Sequence, residues 1–130
     1  MDQDSLVENR IEAGKRFLDE FNKEYPVKTA FWLKESDDSP WYLYVTSEQI
    51  DETNRHAAYM GVSRAAQNIE GIYFDRFWVM VIENNNPLVQ AALELQERHS
   101  GPMGIHYRGF RLGNKSIVGA YFYPLPIAAA

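Results

Sequence analysis

Residue types that commonly carry chemistry are sparse in this chain of 130 residues. It has three histidines, His56, His99 and His106, and no cysteine, which excludes disulfide bonds, thiolate nucleophiles and cysteine-bound zinc. Glu52 and His56 stand four apart and could place two metal ligands on one helical face, but no second ligand pair is spaced to complete a site. We therefore predict no metal ion and interpret this pair as part of a solvated helix face.

Motifs for nucleophilic catalysis and phosphate binding are also missing from the sequence. No serine stands in a Gly-x-Ser-x-Gly elbow, and there is no Walker loop. The glycines near the C-terminus are scattered, and none introduces a helix as phosphate binding requires. Asp37 and Asp38 lie in a polar turn that lacks a full set of calcium ligands. We assign no catalytic residue and no cofactor.

The aromatic side chains are the stronger candidates for function, because their combined surface is larger than the packing of one core face requires. We expect them to gather on one sheet face, as a homodimer or partner interface, the floor of a small-molecule cleft, a stacking surface for single-stranded bases, or partly buried packing residues. The candidate set is Trp32, Tyr42, Tyr44, Tyr107, Tyr121 and Tyr123.

Charge is unevenly distributed along the chain, whose net charge is −5. Residues 1–97 hold 9 basic and 18 acidic residues, whereas residues 98–130 hold Arg98, Arg108, Arg111 and Lys115 and no carboxylate. The two regions either neutralise each other, within one domain or across a homo-oligomer, or form an anion-binding patch in which Arg108, Arg111 and tyrosines grip an acidic ligand. Four cations are few for a nucleic-acid footprint, and an acidic chain repels phosphate, so nucleic acid is the weakest candidate partner.

Hydrophobic periodicity and turn signals predict the elements that must position these side chains. We expect a first helix over 5–24 with a capping box at Ser5 and Glu8, then a hairpin of strands 27–34 and 41–47 around a polar turn. Side chains alternate across a strand. If the apolar residues face the helices, Trp32, Tyr42 and Tyr44 point to the opposite face.

The remaining pattern predicts two more helices and three more strands. The second helix is capped by Asp51 or Thr53 and ends at Gly71, and the apolar run 77–82 indicates a central strand buried on both faces. Asn86 and Pro87 begin a third helix whose inner stripe is Leu88, Ala91, Ala92 and Leu95 and which stops at 100–102. Strands over 104–111 and 116–123 then meet at a Gly113-Asn114 turn.

Three segments also suggest a relationship. Residues 11–18, IEAGKRFL, followed by AFWL at 30–33 and WYLYV at 41–45, resemble a group of small uncharacterised bacterial proteins. The resemblance implies a single bacterial α+β domain and no activity.

Together these observations predict one α+β domain over 1–126 with a disordered tail over 127–130. We expect a two-layer, largely antiparallel sheet of about five strands with three helices, mainly on one face, in the order α-β-β-α-β-α-β-β. The acidic start lacks a secretory signal and no apolar run could span a membrane, so we expect a cytoplasmic protein without a membrane partner. The favoured function is a non-catalytic interaction module that self-associates as a homodimer, or binds an unknown protein, through the aromatic sheet face. The alternatives are a small anionic-ligand binder or enzyme that uses C-terminal arginine and tyrosine residues, and a weak binder of single-stranded nucleic acid. The candidate ligand- or partner-binding residues are Trp32, Tyr42, Tyr44, Tyr107, Arg108, Arg111 and Tyr121.

Overall fold

The structure, a computed structural model, describes residues 8–99, 101 and 103–127. Three α-helices and five strands alternate in the predicted order, with a short 3₁₀ helix, Arg76–Trp78, before the third strand. The helices are α1 (Glu8–Phe21), α2 (Arg55–Gln67) and α3 (Pro87–Arg98), and the strands are β1 (Thr29–Lys34), β2 (Tyr42–Thr46), β3 (Val79–Val81), β4 (Ile105–Leu112) and β5 (Lys115–Phe122). None of these helices has the length and apolarity to cross a membrane.

All five strands form one sheet with the order β3-β2-β1-β5-β4. The α+β class, the element order and the strand number are therefore confirmed. The sheet is mixed rather than largely antiparallel, because β3 runs parallel to β2 while the other neighbours are antiparallel. The crossover through α2 explains this difference, since a parallel neighbour requires a long connection rather than a hairpin.

Helices cover both faces of the sheet, not mainly one. Trp32 and Leu43 pack in a cluster with residues of α1 and α2, which we call the α1/α2 cluster. Phe31 and Tyr44 pack with Val89 of α3 in a second cluster, the α3 cluster. Because adjacent residues of β1 enter different clusters, the two-layer prediction is wrong and the protein has three layers. The central strand β1 is buried at all six positions.

The apolar run 77–82 does not form the predicted central strand. Only Val79–Val81 is extended, and β3 lies at the edge of the sheet. Phe77 is 71% exposed and Met80 is 37% exposed. Continuous apolarity suggested burial on both faces, but here the alternating residues Val79 and Val81 enter the core while Phe77 and Met80 remain at the surface.

Several predicted helix boundaries need correction. Asn54, rather than Asp51 or Thr53, precedes α2, and Asn68, rather than Gly71, follows it. The Asn86 side chain does cap α3, accepting a hydrogen bond from the amide of Leu88 at 2.9 Å. The capping box at Ser5 and residues 128–130 of the predicted tail lie outside the described residues. Ile127 is buried in the α1/α2 cluster and does not belong to a tail.

The inner face of α3 is shifted from the predicted stripe. Its buried residues are Val89, Ala92 and Gln96. Of the predicted residues, Leu88, Ala91 and Leu95 are partly buried and pack around the α3 cluster. A polar glutamine thus occupies a core position that the apolar pattern could not indicate.

One hydrogen-bonded junction ties α1 to the middle of the sheet. The Trp32 indole N–H donates to the Tyr123 hydroxyl at 2.9 Å, and that hydroxyl donates to the Ile11 carbonyl oxygen at 2.8 Å. Gly14 of α1 allows this close approach, because a Cβ at this position would overlap the Tyr123 hydroxyl and lie 3.1 Å from the Trp32 ring. Burial of Tyr123 raises the pKa of its phenol, so it remains a protonated donor.

We expect Gly14→Ala to destabilise the fold by about 2 kcal/mol through this overlap, although alanine is the better helix former. Tyr123→Phe removes the obstructing oxygen and should cost about 2 kcal/mol by leaving the Trp32 N–H without its acceptor. The double variant should therefore be more stable than the sum of the two losses predicts. Denaturant unfolding of the four proteins measures this coupling, and additive losses would contradict it.

A second buried polar network lies where β1 and β2 pair Thr29 with Thr46. The Thr29 hydroxyl donates to the Gln96 side-chain oxygen at 2.5 Å, and the Gln96 amide donates to the Tyr123 carbonyl oxygen at 2.9 Å. The Thr46 hydroxyl is fully buried and has no hydrogen-bond partner among the described residues. Of the two opposed threonine hydroxyls, therefore, only that of Thr29 has its burial compensated by a hydrogen bond among the described residues.

Thr46→Val should stabilise the fold by about 1 kcal/mol, because it replaces an unpaired hydroxyl with a methyl group of similar size. Thr29→Val is the matched control and should destabilise by about 1–2 kcal/mol, since it leaves the Gln96 oxygen without its donor. Thermal unfolding of both variants compares them. A neutral or stabilising effect of Thr29→Val would show that the Thr29–Gln96 bond does not stabilise the fold, and a destabilising effect of Thr46→Val would show that the Thr46 hydroxyl is not a burden on the core.

Candidate functional site

The predicted aromatic face does not exist as one surface. Trp32 and Tyr121 belong to the α1/α2 cluster, whereas Tyr44, Tyr42 and Tyr107 belong to or pack against the α3 cluster. The strand register is the cause: Trp32 is paired with Leu43, and Phe31 is paired with Tyr44. Cross-strand partners share a face, so Trp32 lies with the aliphatic residues of β2 and not with its tyrosines.

On the α3 side, the tyrosine hydroxyls are held by fixed partners. Tyr44 stacks on Phe31, with 5.7 Å between ring centroids, and donates to a Glu35 carboxylate oxygen at 2.6 Å. The Tyr107 hydroxyl lies 3.1 Å from Nε2 of His99 at the end of α3. Both rings serve the packing of α3 against the sheet, which is one of the roles expected from the sequence.

On the α1/α2 side, Trp32 is fully buried and Tyr121 nearly so. The Tyr121 ring lies 4.8 Å from the exposed His106 and 5.1 Å from Tyr123. Burial raises the pKa of Tyr121. A fully buried indole cannot reach a partner without unfolding, so Trp32 is a core residue.

The two predicted arginines lie on β4 at the sheet edge opposite β3. Both are exposed. Arg111 donates to the Asn114 carbonyl oxygen at 3.0 Å and to the Ser116 hydroxyl at 3.3 Å, and Arg108 is paired with Gly119 of β5. Because Tyr107 packs against the α3 cluster, alternation places Arg108 on the other face, so the three residues do not line one anion cleft.

A groove that the sequence did not indicate lies beside β3. It encloses about 660 Å³ between α2, the 3₁₀ helix and the edge of the sheet. Met60 of α2, Phe77 and Met80 reach into it, and they are 52%, 71% and 37% exposed. The remaining lining residues are Tyr42, Tyr59, Val62, Ser63, Arg76 and Val79.

The polar groups of this groove are engaged in local contacts. The Tyr59 hydroxyl accepts a hydrogen bond from the Val81 amide at 2.9 Å. The Arg76 guanidinium lies 4.8 Å from the centroid of the Phe77 ring and also donates to the Ser63 hydroxyl at 3.4 Å. Among the described residues that line it there is no histidine, aspartate or glutamate, so these residues offer a largely apolar contact surface and no proton-transferring carboxylate or imidazole.

The residues that form this groove do not stand out in the sequence. Phe77 and Met80 belong to an apolar run that is typical of a buried strand. Met60 interrupts the polar face of α2, and its exposure depends on how that helix packs. Only the edge position of β3 brings the three side chains together.

The candidate metal ligands are not brought together. Within the described ranges 8–99, 101 and 103–127, no group of three histidine, aspartate or glutamate side chains could hold a metal ion. Glu52 and His56 are both exposed, but only His56 lies on α2; Glu52 lies in the turn before the helix, so the two do not share a helical face as predicted.

Glu35, directly after β1, is a carboxylate with two hydrogen-bond donors from different parts of the sheet. Its oxygens accept hydrogen bonds from the Lys115 ammonium at 2.8 Å and from the Tyr44 hydroxyl. These donors, Lys115 first, lower the pKa of Glu35. Burial, followed by the bond to Glu35, raises the pKa of Tyr44. The contacts among Tyr44, Glu35 and Lys115 join the first hairpin to β5, which indicates a structural role for Glu35.

A carboxyl group whose pKa is lower in the folded state adds stability above its unfolded pKa, and this stability is lost as pH falls through the folded value. For Glu35 the loss therefore begins below its ordinary value of 4.5. We expect Glu35→Gln to flatten the decline of unfolding free energy below that pH, and Lys115→Gln to remove most of the same dependence. Urea unfolding at several acidic pH values measures the slopes. A Glu35→Gln slope identical to that of the original protein would contradict this role.

No known protein family, no curated protein and no solved structure was found to match this chain. The resemblance to small bacterial proteins therefore stays a prediction.

Proposed function

We propose that this protein is a non-catalytic interaction module that self-associates through the groove beside β3. This proposal rests on a concentration of exposed apolar surface in the groove. Five large apolar side chains are exposed in the described part of the chain, and three of them, Met60, Phe77 and Met80, line this groove. Exposed apolar patches of this kind are typical of protein interaction sites.

The shape of the surface supports a second copy as the occupant. Phe77 lines the groove together with Met60 and Val62, and 71% of its surface is exposed. A two-fold axis brings the same patch of both copies together, so each Phe77 ring can enter the groove of the other. Methionine side chains adapt to such an inserted ring because they are flexible and polarizable.

Association at this site rests on side-chain packing and not on pairing of β3 strands. On this edge strand, the Val81 amide already donates a hydrogen bond to the Tyr59 hydroxyl. β3 is also only three residues long. Short strands with occupied edge groups resist pairing with another chain.

The chemistry of the groove supports binding more than catalysis. Its described lining residues include no acidic or imidazole side chain, and the Arg76 guanidinium donates a hydrogen bond to the Ser63 hydroxyl. The proposal keeps the interaction role expected from the sequence and moves it from the aromatic sheet face, which is covered by helices, to the sheet edge. We further place the module in a bacterial cytoplasm, an assignment supported by the absence of cysteine and by the resemblance described above.

Light scattering across a concentration series tests the proposal. We expect a mass of twice 15.0 kDa at high concentration. Phe77→Ser should raise the dimer dissociation constant about thirtyfold, the factor that corresponds to a hot spot of about 2 kcal/mol, and Met80→Ser should act in the same direction.

Tyr73→Ser is the matched control, because Tyr73 is an aromatic residue of nearly equal exposure, 72%, that lines a different cavity. It should leave the dissociation constant unchanged. A monomer at all concentrations, or a dimer equally insensitive to Phe77→Ser and Met80→Ser, would rule out self-association through the groove.

A further inference from the structure

The two edges of the sheet differ in length, charge and protection. β3, at one edge, has three residues and an outer amide bound by Tyr59. β4, at the other edge, has eight residues and is paired only through β5. Among residues 8–99, 101 and 103–127, no strand occupies the outer side of β4. An edge strand of this length presents a row of backbone donors and acceptors to an additional strand.

The regular part of this edge is Ile105–Arg108. These four residues are in continuous register with residues 119–122 of β5. Pairing is not continued at Gly109, whose φ of 56° lies in the left-handed region that favours glycine. Beyond this interruption, Phe110 and Leu112 again face the α3 cluster. The interruption limits regular pairing to a short segment and blunts the edge against extended aggregation.

The exposed side chains of β4 are basic. His106, Arg108 and Arg111 are all exposed, and the described residues from 98 to 127 include no carboxylate. Each of these three residues is followed or preceded by an apolar residue that is partly or fully buried. The edge therefore combines positive charge with a strand whose outer side is paired by no strand among the described residues, in a chain whose residues 1–97 carry an excess of acidic residues.

We infer that the outer edge of β4 binds a short, acidic, extended segment of a partner protein, which adds a sixth strand to the sheet. Backbone hydrogen bonds to Ile105–Arg108 would supply affinity, and acidic side chains beside Arg108 and Arg111 would supply selectivity. This inference is independent of self-association, because β3 and β4 lie at opposite ends of the sheet.

Charge argues against two other occupants of this edge. An antiparallel pairing of β4 with β4 of a second copy can place Arg108 opposite Arg111, and directly opposed like charges destabilise a strand pair. Nucleic acid would meet only a few basic groups on a chain with a net charge of −5. An acidic peptide strand can form hydrogen bonds with the backbone of this edge and also complements its positive charge.

The test uses the full chain and a short peptide of alternating glutamate and valine with blocked ends. We expect saturable binding by calorimetry and slower amide hydrogen exchange at residues 105–108. The same peptide with alternate amides N-methylated keeps its charge but loses donors for strand pairing, and it should bind about tenfold more weakly or worse. Because this comparison uses the unmodified protein, it does not depend on the folding of a variant.

Charge reversal provides the second arm of the test. The double variant Arg108→Glu with Arg111→Glu should weaken peptide binding about tenfold or more. The matched control Lys23→Glu reverses an exposed charge next to the end of α1 and should leave binding unchanged. Phe77→Ser should also leave it unchanged, which separates this inference from the dimer proposal.

Three results would overturn the inference. The first is an absence of peptide binding. The second is equal binding of the N-methylated peptide, which would identify a purely electrostatic contact. The third is tighter binding of single-stranded oligothymidylate than of the peptide, which would identify a nucleic-acid surface.

Discussion

The hydrogen bonds among Trp32, Tyr123 and the Ile11 carbonyl are the constraint on which the rest of the fold depends. A buried indole N–H and a buried phenol both need partners, because an unpaired polar group in the core is costly. Here the indole donates to the phenol and the phenol donates to the carbonyl, so both polar groups are paired. The arrangement requires Gly14, because a side chain at this position would overlap the Tyr123 hydroxyl and separate α1 from β1. In a chain without cysteine, such close packing takes the place of a covalent link.

Once α1 is fixed against β1, the distribution of the remaining surface follows. α1 and α2 cover one sheet face through the α1/α2 cluster, and α3 covers the other through the α3 cluster. Neither face of the central strand β1 is left for a partner, whereas His106, Arg108 and Arg111 of β4 remain exposed. The surfaces available for recognition are therefore the two sheet edges, one apolar beside β3 and one basic along β4. Their opposite positions would allow one module to hold two different neighbours at once.

The elements could be predicted from the sequence because their signals are local. Alternation in the hairpin correctly separated Phe31 from Trp32, and the Asn86-Pro87 pair marked the start of α3. The errors arose where a prediction needed knowledge of distant neighbours. A shift of one residue between β1 and β2 would have placed Trp32 beside Tyr44, and this register depends on the geometry of the connecting turn and on which face of each strand is buried. The apolar run around Phe77 likewise has the same appearance in a central strand and at an exposed edge.

The sequence by itself determined the α+β class, the order of its helices and strands, and the concentration of positive charge in the C-terminal strands, because periodicity, turn residues and charge are properties of short segments. Only the tertiary structure decided that helices lie on both faces, that the aromatic residues are divided between two cores, and that Met60 meets Phe77 and Met80 in one groove. Those outcomes depend on strand register and on the parallel placement of β3 beside β2. Both are set by the combined packing of residues far apart in the chain, and no single segment carries that information.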